Sequence, residues 1–389
     1  MVSKKIIALI ISFAMTLTCV QYTNIIWAEE KSGILCDTYC LVEADTGTVL
    51  MSKNDNKEVS PASITKIMTL IIICERIDKG ELKLTDTVTT SAHAKSMGGS
   101  QVFLEEGEIQ SVEDMIKCIV ISSGNDASVA MAEHIAGSEE EFVKMMNSKA
   151  KMLGMQNTNF VDCCGLTDSD EHYTSAKDVA IMSRELIKKH PYILDYSSIW
   201  MDKITHVTKK GESEFILSNT NKLLKMNSNV VGLKTGSTSK AGYCVSAVAK
   251  TDKIALIAVI MNSDNNKTRF EDANKLIKYG LANCKKYSPE IKQGEIMVKG
   301  GKNEYISYIE KEQFNYLLKN NEDEKNIKNE IIITNNDAPI KEGDVIGNVV
   351  YTLNDKKIGQ SSIVAMETVE KAGLLDLFRK IGTGMMFNI

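Results

Sequence analysis

The stretch SPASITKIMT, Ser60 to Thr69, sets Ser63 three residues before Lys66, behind a proline and at the head of an apolar run. Ser60 is a good helix cap, and Pro61 suits a first turn, where no N–H need be donated. Ser63 and Lys66 then share one helix face and can touch. Two readings follow: an ordinary helix start, or a nucleophile with its base. A lysine at its usual pKa is protonated and cannot act as a base, so the second reading needs burial or a nearby cation. The run Ile67 to Cys74 supplies burial, and Lys234 is the candidate cation.

Bare patterns do not decide between these readings. Ser-x-x-Lys recurs at Ser148/Lys151 and Ser237/Lys240, and Ser-x-Asn at Ser52/Asn54, Ser123/Asn125 and Ser263/Asn265, whereas Lys234-Thr235-Gly236 is unique. Setting sorts them. Ser148 falls mid-helix in a charged segment, a solvated face. Ser123-Gly124-Asn125 falls at a helix-to-helix turn, where a hydroxyl and an amide can face a cleft, although the same residues also make a plain turn and cap. Lys234-Thr235-Gly236 ends a strand-like NVVGL run. There the glycine admits a ligand to the backbone, while lysine and threonine suit a carboxylate.

Around these motifs the chain has ordinary globular composition: 389 residues, 43% hydrophobic, 25% charged, net charge -5. No basic field favours nucleic acid, so none is expected as a partner. LCDTYCLVEADTGTVL, Leu35 to Leu50, reads as two strands joined at Asp45-Thr46-Gly47. Helical spacing covers Ile64 to Ile77, Val112 to Ile121, Ala127 to Ile135, Glu139 to Leu153 and Ala176 to Lys188. After Asp202 the period shifts toward two, with NVVGLKTG, GYCVSAVAK and KIALIAVIM as adjacent antiparallel strands and Arg269 to Gly280 as a closing helix. Strands at both sequence ends with helices between them predict an α+β catalytic domain over 33–285. Short strand-like runs separated by Gly and Asn predict a small all-β domain over 286–365.

The two ends carry their own signals. Lys4 and Lys5, the apolar stretch Ile6 to Val20 and Ile26-Trp27-Ala28 read as an export signal over 1–28. About 15 apolar residues are short for a span of roughly 20, which favours cleavage over an anchor. The expected location is therefore outside the cytoplasm. Within 366–389, Leu374, Leu375, Leu377, Phe378, Ile381 and Met385 share one side of a helical wheel, and Asp376, Arg379 and Lys380 the other. That favours a helix lying on a membrane surface, which is then an expected partner, over one packed on its own domain. Nine cysteines do not form the pattern of a stapled scaffold, and the five scattered histidines offer no metal spacing, so no metal or cofactor is expected.

Ser63-x-x-Lys66, Ser123-x-Asn125 and Lys234-Thr-Gly236, in this order, resemble the penicillin-recognising serine enzymes. ADTGTVL, PASITKIMT, SSGNDAS, HYTSAKDVA, NTNKLL and VGLKTGSTSKAGYC narrow the resemblance to low-molecular-mass penicillin-binding proteins acting as D-alanyl-D-alanine carboxypeptidases, over about Asp37 to Gly280. DCCGLTDSDEHYTSA is similar to the corresponding phrase in enzymes of spore-forming bacteria. The resemblance implies the transpeptidase/β-lactamase-like fold and two partners, peptidoglycan stem peptides and β-lactam antibiotics. It implies that Ser63 attacks, Lys66 takes its proton, and the N–H groups of Ser63 and Ser237 hold the oxyanion. Ser123 and Lys234 relay protons, Asn125 orients the peptide along the Lys234-Thr235-Gly236 strand, and Thr235, Ser237 and Arg269 bind the terminal carboxylate.

Two departures stand out. Asp162-Cys163-Cys164-Gly165-Leu166 replaces Asn-Pro-His-Gly-Leu of many relatives, and Ser237 replaces the histidine of some. A class A β-lactamase needs Glu-x-x-x-Asn after the second motif, and here Glu171 is followed by Ser175. A non-catalytic wall-binding protein would have lost Ser63, Lys66 or Lys234. An endopeptidase cutting cross-links is the nearest alternative activity.

Overall fold

The computed structural model describes residues 33–209, 211–319, 322–374 and 376. The export signal expected at 1–28, and most of the amphipathic segment expected at 366–389, lie outside the described residues. Among those described, no helix is long and apolar enough to cross a membrane. The chain divides into two compact units between Ala282 and Asn283.

The first unit opens with β1 (Thr38–Glu43) and β2 (Val49–Lys53). Their turn forms where expected: the Glu43 carboxylate accepts from the N–H of Asp45 (3.0 Å) and Thr46 (2.7 Å), and Gly47 takes φ +74°. A 3₁₀ turn, Ala62–Thr65, runs directly into α1 (Lys66–Asp78). β3 (Thr87–Thr89), α2 (Ala92–Ser96) and β4 (Ile109–Ser111) lead to α3 (Val112–Val120) and α4 (Asn125–Ala136). Then come α5 (Glu139–Met152), α6 (Ala176–Lys189), α7 (Ile193–Ser197), a hairpin of β5 (Met201–Thr208) and β6 (Gly211–Ser218), and α8 (Leu223–Met226). β7 (Val230–Thr238), β8 (Gly242–Lys250), β9 (Ala255–Ser263) and α9 (Asn266–Asn283) close the unit.

The main sheet has the order β2-β1-β9-β8-β7 and is antiparallel throughout. Strands from both ends of the unit therefore meet at β1 and β9, which makes the intervening helices one enclosed insertion. Helices cover both faces, so β1, β8 and β9 are almost wholly buried and read as continuous apolar runs. Gly280 of α9 lies against Leu256 and Leu41, while Ser183 of α6 bonds Ser246 of β8 (2.8 Å). Strand β7 is left at the edge.

Helix α1 is buried on all sides: Ile67, Met68, Leu70, Ile71, Ile72, Ile73 and Cys74 are all 3% exposed or less. This explains an apolar run with no polar face, each aliphatic side chain contributing ~1.5–3 kcal/mol on burial. One expectation at its start is corrected. Ser60 does not cap it; Pro61 occupies the cap position without a side-chain bond, and Ala62 adopts φ +47°. The 3₁₀ geometry has three residues per turn, so the side chains of Ser63 and Lys66 eclipse one another more closely than in an α-helix.

The second unit is all-β among its described residues, as expected from the sequence. Its sheet has the order β11-β12-β16-β15-β14, with β10 paired to β13. Their ranges are β10 Cys284–Tyr287, β11 Gln293–Met297, β12 Tyr305–Glu310, β13 Tyr316–Lys319, β14 Ile327–Ile333, β15 Val345–Leu353 and β16 Lys356–Ala365. Phe314 stacks on Tyr351 at 3.9 Å, and the Tyr351 hydroxyl donates to the buried Glu310 carboxylate (2.9 Å). β16 was not distinguished in the sequence because Gly359, Gln360, Ser361 and Ser362 dilute its apolar alternation.

The loop after α5 fixes the start of α1 by close approach. A Cβ at Gly165, where φ is +78°, would lie 1.8 Å from the Ala62 carbonyl oxygen. At Gly80, where φ is +72°, a Cβ would meet nothing within 4 Å. Gly165→Ala is therefore expected to cost more than Gly80→Ala, by ~1–3 kcal/mol for the clash beyond the φ penalty common to both. Thermal melts of the two variants check this; equal shifts would mean that the loop does not bear on the turn.

Candidate active site

Three segments distant in sequence converge on the Ser63 turn. Lys66, its side chain fully buried, directs Nζ to Ser63 Oγ (2.9 Å), Asn125 Oδ1 (2.6 Å) and the Cys164 carbonyl (2.7 Å). Asn125 begins α4, and its Nδ2 donates to the Gly98 carbonyl (2.7 Å), which fixes the amide orientation. The amide thus presents oxygen, an acceptor only, to the lysine. Ser123, two residues earlier, has φ +62° and accepts from Lys234 Nζ (2.8 Å). A serine in the left-handed region costs of order 1–3 kcal/mol, and here the tight turn between α3 and α4 aims its hydroxyl at Lys234.

Strand β7 brings Lys234, Thr235, Gly236 and Ser237 alongside. A Cβ at Gly236 would lie 2.9 Å from Ser63 N, 3.0 Å from Ile64 N and 3.0 Å from the Pro61 carbonyl. Only glycine lets the strand come so near. Thr235 Oγ1 donates to Thr220 Oγ1 (2.6 Å), a residue of the NTNKLL phrase to which no role attached in the sequence. Because β7 is an edge strand, a ligand backbone can add to it.

Arg269 has a more internal setting than carboxylate binding alone suggests. It is 6% exposed, donates from Nη1 to the carbonyls of Gly236 (2.9 Å) and Cys244 (3.0 Å), and lies over the rings of Phe270 and Tyr243. Burial lowers its pKa to about 10, against the opposing influence of Cys244 and Tyr243.

The electrostatics favour neutral amines. Burial holds Lys66 below the ordinary lysine range, against the pull of Cys164, Cys163, Asp162 and Asp126. Burial lowers Lys234 further, reinforced by the charges of Lys66 and Arg269. Repulsion is mutual, so a proton on one amine disfavours a proton on the other. Burial is the largest cause at both; the interaction between the two amines is seen at Lys234, and the lowering expected from Lys234 at Lys66 is not among the causes there.

The Asp162 to Thr167 loop supplies the remaining wall. One Asp162 oxygen accepts from the N–H of Cys164 (2.8 Å) and Gly165, the other from Leu166 (3.1 Å) and Thr167 (2.8 Å). Burial opposes this charge, but His172 and the backbone donors outweigh it and keep the carboxyl below its usual range. The Cys163 carbonyl accepts from Thr69 Oγ1 (2.6 Å). Neither thiol takes part: both side chains are buried, and all eight cysteines of the described residues are free. The repeated pattern at Ser148/Lys151 is exposed on α5, and Lys240 pairs with Asp170 (2.5 Å). Glu171 is exposed, and among the described residues no group of three or more His, Cys, Asp or Glu could hold a metal. Sequence reasoning missed Gly98, Thr220, His172 and the Cys164 carbonyl; a backbone acceptor carries no side-chain signal.

Comparisons with known proteins identify the family to which this chain is similar. Residues 26–265 match the family model described as D-alanyl-D-alanine carboxypeptidase, and residues 285–371 the one described as penicillin-binding protein 5, C-terminal domain. The chain is 43% identical to D-alanyl-D-alanine carboxypeptidase DacF of Bacillus subtilis, over 90% of this chain and 89% of that protein. It is 33% identical to D-alanyl-D-alanine carboxypeptidase DacC of Escherichia coli, over 88% and 86% respectively. Penicillin-binding protein 5 from Haemophilus influenzae superposes with a TM-score of 0.74 at 31% identity, over 87% of this chain and 98% of that one. By sequence, fold and the grouping of Ser63, Lys66, Ser123 and Lys234, the chain belongs to the D-alanyl-D-alanine carboxypeptidase family of serine peptidases.

Proposed function

We propose that the protein removes the terminal D-alanine from peptidoglycan stem pentapeptides through a Ser63 acyl-enzyme, and that β-lactams acylate the same serine. The observation that carries this reading is the setting of Lys66 Nζ. A neutral amine has two hydrogens and one lone pair; Asn125 Oδ1 and the Cys164 carbonyl are acceptors and take both hydrogens, which turns the lone pair to Ser63 Oγ.

Lys66 takes the Ser63 proton as Oγ attacks the carbonyl between the last two D-alanines. The N–H groups of Ser63 and Ser237 stabilise the oxyanion, a contribution commonly worth 10²–10³ in rate. Collapse breaks the C–N bond. The leaving amine receives the proton through Ser123, which Lys234 holds. Water then attacks the ester and releases the shortened peptide, with the same groups returning the proton. Asn125 orients the peptide, while Thr235, Ser237 and Arg269 attract the terminal carboxylate beside Lys234. That anion restores the charge on Lys234 just as Lys66 must stay neutral.

The wider assignment follows from the substrate. Peptidoglycan lies outside the cytoplasm, which fits an export signal at 1–28 and a role in cell wall biogenesis. The catalytic domain is assigned to 33–285, the β-rich domain to 286–365, and 366–389 to a helix that rests on the membrane surface.

Ser63→Ala is expected to abolish both labelling by fluorescent penicillin and D-alanine release from a pentapeptide; unchanged release would sink the assignment. Lys66→Arg, which stays charged, is expected to slow acylation by ~10²–10⁴ at every pH. In the unaltered enzyme acylation falls as pH drops through the depressed Lys66 pKa, because the neutral amine is the active form. Stopped-flow acylation between pH 5 and 10 measures both effects; an acylation rate independent of pH would remove Lys66 as the base. Walls from cells lacking the protein are expected to accumulate pentapeptides, whereas accumulation of cross-linked dimers would assign it as an endopeptidase. In vesicle flotation the full chain is expected to float and a chain ending at Gly373 to stay in solution; equal behaviour would leave the helix to its own domain.

A further inference from the structure

His172 lies outside the proposed reaction yet bridges two of its parts. It is 1% exposed. Its Nδ1 accepts from Val161 N–H (2.9 Å) and faces Asp162 N–H (3.4 Å). On the other side Nε2 lies 2.8 Å from Thr65 Oγ1, and that hydroxyl donates to the Ala62 carbonyl (2.8 Å). The partners fix the tautomer: Nδ1 faces backbone donors and must be bare, while Nε2 carries the hydrogen that Thr65 accepts. One neutral ring thus ties the head of the loop bearing Cys164 to the turn bearing Ser63.

We propose that neutral His172 is a positioning residue for acylation, holding the Val161 to Thr167 loop against the Ala62–Thr65 turn so that the Cys164 carbonyl meets the Lys66 amine. This rests on the acyl-enzyme reading above. Two acceptors orient the Lys66 lone pair, and one of them, the Cys164 carbonyl, belongs to this loop. A proton added at Nδ1 would face the Val161 N–H and break the tie. The surrounding charges are the Asp162 carboxylate on the loop, Lys66 beyond Thr65, and Lys240 after β7, itself paired with Asp170. Burial lowers the His172 pKa, Asp162 raises it and Lys240 lowers it, with a net displacement below the usual histidine value. The ring is therefore neutral at pH 7, and the tie is lost only as pH falls through that lowered pKa.

The test is the pH profile of acylation by fluorescent penicillin in the full chain. Below both pKa values the unaltered protein needs two groups deprotonated, so log rate falls with a slope of about 2 per pH unit. His172→Asn and His172→Gln, which do not titrate, are expected to show a slope of about 1 over the same range. At pH 8 they acylate more slowly, by about 10²-fold for a displacement of ~1 Å. A slope unchanged in variants that still melt cooperatively would overturn the proposal. If both variants fail to fold, the unaltered protein decides. Its ¹⁵N-histidine spectrum must show bare Nδ1 and protonated Nε2 at neutral pH, with the ring titrating where the slope steepens. A His172 found charged while acylation is at full rate overturns the proposal. Absence of any labelling in the unaltered protein would instead overturn the acyl-enzyme reading on which it stands.

Discussion

The Lys66 amine is enclosed by Ser63 Oγ, Asn125 Oδ1 and the Cys164 carbonyl, and among the described residues no carboxylate forms an ion pair with it. An uncompensated buried charge costs several kcal/mol, so the enclosure drives the amine toward its neutral form. A neutral amine beside the Ser63 hydroxyl results from burial itself. Much of the surrounding structure follows from keeping that enclosure closed. The apolar sides of α1 exclude water, and Asn125 is held from behind by Gly98. Gly165 lets the Cys164 loop reach the turn, and the Asp162 carboxylate gathers four backbone N–H groups to hold the loop in shape.

The opposite wall works by contrast. Lys234 and Arg269 are both buried near strand β7, and burial, with repulsion from Lys66 and Arg269 added, holds the Lys234 amine well below the ordinary lysine range. An anion placed beside these two groups would favour the charged form of Lys234. Arg269 acts through the backbone as well. By bonding the Gly236 and Cys244 carbonyls it secures the segment whose missing Cβ allows contact with Ser63.

What was legible in the sequence is what depends on side-chain type and period. The long helices after Ser60, the β7 to β9 strands and the Ser63, Ser123 and Lys234 motifs were readable, because burial imposes periods of 3.6 and 2 and because the motifs follow in a recognisable order, whereas the short helices Ala92–Ser96, Ile193–Ser197 and Leu223–Met226 span too few residues to show a period. What was not legible depends on backbone geometry. Ser60 has the chemistry of a cap, but the chain enters α1 through a 3₁₀ turn that leaves the cap to Pro61. The role of Arg269 could not be separated into holding strand and holding ligand, since both use the same guanidinium. His172 was one of five scattered histidines, and its position became informative only when Val161 and Thr65 were seen on either side of it.

The Asp162 to Leu166 loop acts on the site through its backbone more than through its side chains. What reaches Lys66 from the phrase Asp-Cys-Cys-Gly-Leu is a backbone carbonyl, and what lets it reach is the glycine. The side chain at 164 does not touch the amine; it is fully buried and fills the core behind the loop. The Cys163 and Cys164 thiols point into the core, and burial pushes the Cys163 thiol well above its usual range, so these sulfurs behave as small apolar groups. The carboxylate at 162 is a different matter. Each of its oxygens accepts from two N–H groups, and an amide would turn a donor toward one of those pairs. In this chain the negative charge at 162 therefore belongs to the architecture of the loop, even though it favours the charged form of Lys66; burial of the lysine outweighs it.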